Sequence, residues 1–116
     1  MIIGNGDSER RVWTKRETRM LATVYMKMAG LQDDDLLGTG KNADEEKRTS
    51  KASLVREFME KTGRTKGSVE AKLMNISAVV EELGDECEVS MVFGYKPLSN
   101  LSQSCREIVT ERFSEE

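Results

Sequence analysis

The chain has 116 residues, 37% hydrophobic and 34% charged, with 5% aromatics, one proline and a formal net charge of −3. That is enough for one modest core in a charge-rich globular domain, and so little proline and aromatic content leans towards helix. Histidine is absent, which excludes a histidine-dependent nuclease, a histidine-ligated zinc finger and a Ser-His-Asp hydrolase.

Residues 1–11, MIIGNGDSERR, carry two glycines and no hydrophobic periodicity. They read as a flexible arm, and no basic stretch leads into an apolar one as a secretory signal requires. The remainder, 12–116, reads as a single helical domain. Its first helix is announced by Thr14 and Glu17, whose spacing is that of a capping box. Leu21, Val24, Met28 and Leu31 follow at helical intervals beside Met20 and Tyr25, and Gly30 is placed to end the helix. Trp13, at the entrance, has two readings, a ring packed on the core or an exposed stacking aromatic.

Residues 32–49 hold an acidic run and two glycines without a helical stripe, and are expected as a loop. Gly38, Gly40 and Lys41 faintly suggest a phosphate loop but lack the Walker spacing and a preceding strand. A second helix turns Leu54, Val55, Phe58 and Met59 inward and Lys51, Arg56 and Lys61 outward, with Gly63 as its C-cap. A third begins at Thr65 or Ser68 and carries the seam Val69, Leu73, Ile76, Val80 and Leu83, stopped by Gly84. The short glycine-containing turn between them is a helix-turn-helix arrangement. Opposite the seam stand Ala71, Met74, Asn75 and Ala78. That face fits a nucleic-acid groove, where asparagine pairs with adenine. It fits equally an exposed surface, or a second packing face against the C-terminal segment.

Cys87, Val89, Met91, Phe93 and Tyr95 alternate with mostly polar or small neighbours, as in one short strand or extended segment. Asn100 and Gln103 have capping-box spacing ahead of a last amphipathic helix through Leu101, Cys105, Ile108, Val109 and Phe113. The fold class expected is therefore mainly α: a tri-helical helix-turn-helix core, a short extended segment and a C-terminal helix. Cys87 and Cys105 are expected as free, buried thiols in a reducing cytoplasm. Two cysteines argue against a structural zinc site, and the carboxylates lie in runs that read as solvated loops, so no metal or cofactor is expected. No apolar run approaches the roughly 18 residues of a membrane span.

The small net charge conceals a segregation. Residues 8–19 sum to +3 and residues 47–72 to +5, whereas 33–46 and 81–88 each sum to −5. Phosphate recognition needs local positive charge rather than a high overall pI, because screening confines it to roughly 8–10 Å. The basic stretch coincides with the helix-turn-helix.

Two phrases, RTKGSVEAKLMNISAVVEELG and GYKPLSN, closely resemble a domain at the N-terminus of HNH-type and other restriction-like bacterial proteins. The matching positions are Arg64, Lys66, Gly67, Ser68, Glu70 and Lys72, then Asn75 to Val79, and then Gly94, Tyr95, Lys96, Pro97 and Asn100. Trp13, Glu17 and Tyr25 also fit, so the resemblance runs over most of the chain. The tryptophan-led helices are more loosely similar to Myb/SANT-type DNA-binding domains. The nuclease half of the HNH-type proteins is missing here, and residues 85–93 form a longer, more acidic link than that family's. The resemblance implies a stand-alone recognition module of a restriction or defence system, without nuclease activity. On that reading Lys51, Arg64, Lys66 and Lys96 hold phosphates of double-stranded DNA, plain or modified, with the helix N-terminus at Ser68. Asn75, with Lys72, is the candidate base reader. The alternative is a protein-interaction module, a phage or mobile-element product that binds a host defence protein, its acidic segments imitating nucleic-acid charge.

Overall fold

The computed structural model describes residues 12–38 and 48–115. The expected arm at 1–11 and the middle of the expected loop, with most of the phosphate-loop-like stretch, lie outside them. The elements are α1 (Lys15–Asp33), β1 (Leu37–Gly38), β2 (Thr49–Ser50), α2 (Lys51–Thr62), α3 (Lys66–Leu83), a 3-10 turn (Gly84–Glu86) and α4 (Gln103–Ser114). The domain is thus mainly helical, as its composition predicts. Among the described residues no helix is long and apolar enough to cross a membrane.

The capping box forms as expected: the Glu17 amide donates to Thr14 Oγ1 at 3.0 Å and the Thr14 amide donates to Glu17 Oε1 at 3.1 Å. α1 then buries Leu21, Ala22, Tyr25, Met28 and Ala29. Gly30 does not end it. The helix runs on to Asp33, and Asp35 takes the left-handed conformation (φ 59°) that lets the Leu36 amide return to the Leu31 carbonyl. Aspartate tolerates that region better than most side chains, so a glycine is not needed there. The expected loop also contains structure: β1 and β2 pair in parallel, Leu37 with Thr49 and Gly38 with Ser50.

Ser50 caps α2 and Gly63 closes it in the left-handed conformation (φ 75°), leaving Gly63, Arg64 and Thr65 as the link to α3. Thr65, rather than Ser68, caps α3, with the Ser68 amide donating to Thr65 Oγ1 at 3.1 Å. The seam Val69, Leu73, Ile76 and Val80 is buried, and Leu83 packs against the core. The middle of α3 is buried on its other side too, at Asn75, Ser77, Ala78 and Val79. The chain after Tyr95 lies along the helix with the Leu98 amide donating to the Met74 carbonyl at 3.1 Å, and Ser77 meets the Tyr25 hydroxyl of α1. Of the readings open for that face, packing against the C-terminal segment is the one realised from Met74 onward.

Residues 87–101 form no strand among the described residues. Cys87, Val89 and Met91 pack against the core as the alternation requires, but Val92 is then buried and Phe93 is 76% exposed. The register slips because a turn at Phe93 and Gly94 reverses which neighbours face inward. Ser102, not Asn100, caps α4; the Asn100 side chain accepts instead from Asn75. α4 packs along α1, where Arg19 pairs with Glu115 at 2.7 Å and the Phe113 ring lies 6.2 Å from that of Tyr25. Both cysteines are free, Cys105 buried and Cys87 half-buried.

Candidate nucleic-acid interface

The residues expected to recognise a ligand divide into three groups. The first lines a groove of about 610 Å³ that runs along α2 from its N-terminus to Met59 and is bordered by Lys66 and Glu70 of α3. Lys51 and Lys66 both line it, together with Arg56, Glu70, Gly94 and Tyr95. Three cations against one carboxylate make it electropositive. α2 begins there, at Ser50 to Ala52, whereas the cap and first turn of α3, Thr65, Gly67 and Ser68, border a hollow on that helix's other side. First-turn amides lack intrahelical acceptors and carry the positive end of the helix dipole.

Lys51, expected outward, is half-buried. Its ammonium donates to the Phe93 carbonyl at 2.6 Å and lies 4.0 Å from the centroid of the Tyr95 ring. Burial lowers its pKa, partly offset by the Glu70 carboxylate. An ammonium has three N–H groups, so one bond to Phe93 leaves donors for the groove. A Cβ on Gly94 (φ 96°) would come within 2.7 Å of Lys51 Nζ, so glycine here serves both the turn and the lysine's seat. Burial, together with Glu70, pushes the Tyr95 hydroxyl up to about 12, which keeps it a neutral hydrogen-bonding group.

The second group lies on the other side of α3. Ser68, Lys72 and Asn75 line a shallow hollow of about 390 Å³ with Trp13, Thr65, Gly67 and Ala71. Lys72 Nζ stands 5.3 Å from the Trp13 ring centroid, so this lysine is not brought together with Lys51 and Lys66. Asn75 is only 7% exposed. Its amide donates to the Leu98 carbonyl at 2.6 Å and to Asn100 Oδ1 at 3.2 Å, which spends both of its N–H groups, one of which adenine N7 would need. As a base reader, Asn75 is withdrawn by its own packing.

The third group stands apart. Arg64, expected on phosphate, is 2% exposed. Its guanidinium bonds Glu17 at 2.6 Å and the Val12 carbonyl at 2.8 Å and stacks 4.4 Å from the Trp13 ring centroid. Trp13 in turn stacks on Phe58, with centroids 5.8 Å apart, so its core-packing reading holds and its outer face serves cations. Lys96 is exposed on the loop following Tyr95.

Sequence reasoning missed Arg56 and Glu70 as groove residues. A signal was available for Glu70, which stands four positions after Lys66 on α3 and so shares its face; Arg56, five positions after Lys51, had none. What the sequence did not carry was the angle at which those two helix faces meet. Comparison with protein-family models, with curated proteins and with solved structures finds no match.

Proposed function

We propose that this chain is a duplex-DNA-binding module without catalytic machinery of its own, of the kind that serves restriction-like defence proteins as a recognition part. The observation that carries the reading is the electropositive groove, in which Lys51, Arg56 and Lys66 lie together with the N-terminal turn of α2. Cations and helix N-termini together are a site for phosphate oxygens. Ser68 and Lys72 flank the same turn of α3 on its far side, and Lys96 extends the positive surface along the loop. Contact through the first turn of a helix suits a major groove, into which recognition helices insert their N-terminal residues. Base contact on this reading falls to Lys72 rather than to the buried centre of α3.

Phosphate contacts make affinity fall with salt by about 0.9 in log K per contact for each log unit of salt. Fluorescence anisotropy of a labelled duplex, plain and base-modified, titrated at several salt concentrations reads that slope. Lys66→Ala is expected to weaken binding and reduce the slope by about one. Absence of binding at low salt to either duplex sinks the reading.

A second reading, a protein-interaction module docking on a host defence protein, draws on the acidic segments. Ser90 Oγ donates to Asp33 Oδ2 at 3.0 Å, which draws the run Asp33–Asp35 towards the acidic stretch ending at Glu88. Capture of a host protein by wild-type chain, lost on neutralising Asp33, Asp34 and Asp35, would favour it.

A further inference from the structure

Phe93 is 76% exposed. A solitary apolar side chain on a surface is ordinary; what distinguishes this one is the bracing of its backbone. The Val92 amide donates to the Tyr25 hydroxyl at 2.9 Å, and the Phe93 amide donates to Gln32 Oε1 at 2.8 Å. Gln32 Nε2 donates to the Met91 carbonyl at 2.9 Å, and Lys51 Nζ donates to the Phe93 carbonyl at 2.6 Å. Three side chains from two helices thus fix a turn that exposes one aromatic ring. Gly94, the next residue, lines the electropositive groove, and Lys51 belongs to the groove and the brace alike.

We infer that Phe93 is a base-stacking residue, so that the chain binds nucleic acid containing an unpaired base in preference to fully paired duplex. The inference rests on the nucleic-acid reading above and adds the ligand's structural class. Aromatic rings beside a basic groove are how proteins hold unstacked bases: the groove follows the phosphates and the ring covers a base face without reading its edges. A fully paired duplex must first be unstacked to meet such a ring, whereas a bulge or single strand has already lost that stacking. The fixed turn removes the ordering cost that a mobile loop imposes on binding. A protein partner could also take an exposed phenyl ring, but it has no need of three cations and a helix N-terminus next to it.

The test uses the full chain and three labelled probes: an intact duplex, the same duplex with a central bulged thymine, and its single strand. Wild-type chain is expected to bind the bulged duplex and the single strand about tenfold tighter than the intact duplex. Phe93→Ala abolishes the preference while leaving intact-duplex affinity, salt slope and thermal melting unchanged, and Phe93→Trp restores it. If wild type binds all three alike, or Phe93→Ala keeps the preference, the inference is overturned and the nucleic-acid reading stands. If wild type binds none of the three, both fall together.

Discussion

Arg64 turns inward although it belongs to the basic stretch. Its partner Glu17 already belongs to the capping box of α1, so a single carboxylate closes a helix end and receives a buried guanidinium. The Arg64 hydrogen bond holds the Glu17 carboxyl at about 2, well below the usual range, with the Thr14 amide helping and burial opposing. A carboxylate depressed in the folded state stabilises above its unfolded pKa and loses that contribution as pH falls towards the folded value. Stability is therefore expected to drop as pH falls from about 4.5 to about 2, and Glu17→Gln to flatten that part of the profile, read by urea denaturation at stepped pH. Arg64→Met, which strands the carboxylate, is expected to cost about 3 kcal/mol at neutral pH. Binding per folded molecule is expected to survive it, because this arginine is buried against Glu17 and Trp13.

At the scale of elements, α3 is two helices in function. Its first turns border the groove and the hollow, while from Leu73 to Val80 it is a core helix with nearly every side enclosed. The seam was legible because a spacing of three and four is a local property of the chain. The capping box was legible for the same reason, and so was the C-cap at Gly63. The burial of Asn75 and Arg64 was not, because both residues are polar and their partners are distant in sequence: Leu98 lies 23 positions from Asn75, and Glu17 lies 47 from Arg64. Default expectation puts such residues outside, and only the tertiary fold supplies the bonds that bring them in. The groove was half legible: the cations were in view, but the crossing of α2 and α3 that gathers them was not. Asn75→Ala leaves the Leu98 carbonyl short of its donor and is expected to destabilise by about 1–2 kcal/mol. Hydrogen exchange at Leu98 should quicken, while affinity for duplex DNA is unchanged once the folded fraction is accounted for. A selective loss of binding at full stability would return Asn75 to the interface.

Across the whole molecule, Tyr25 joins what the helices alone do not. Fully buried on α1, it shares a 2.8 Å hydrogen bond with Ser77 of α3 and accepts from the Val92 amide. Its hydroxyl thereby links the first helix, the third and the turn that carries Phe93. Tyr25→Phe keeps the ring and removes the link, leaving the Val92 amide and Ser77 hydroxyl buried without it. The expected cost is about 1–3 kcal/mol by urea denaturation, with faster exchange at the Val92 amide than at amides of α4. Uniform loosening of all amides would contradict the linking role.

Gln32 has a different consequence. Its carboxamide takes the Phe93 amide and offers its own hydrogen to the Met91 carbonyl, two residues apart on one edge of the backbone. That is what a neighbouring β-strand does. The run Val89 to Phe93 is rich in the residues that build cross-β assemblies, and an open edge there would invite another copy to pair. A single glutamine at the end of a helix takes the two hydrogen-bonding groups on that edge that a pairing strand would use.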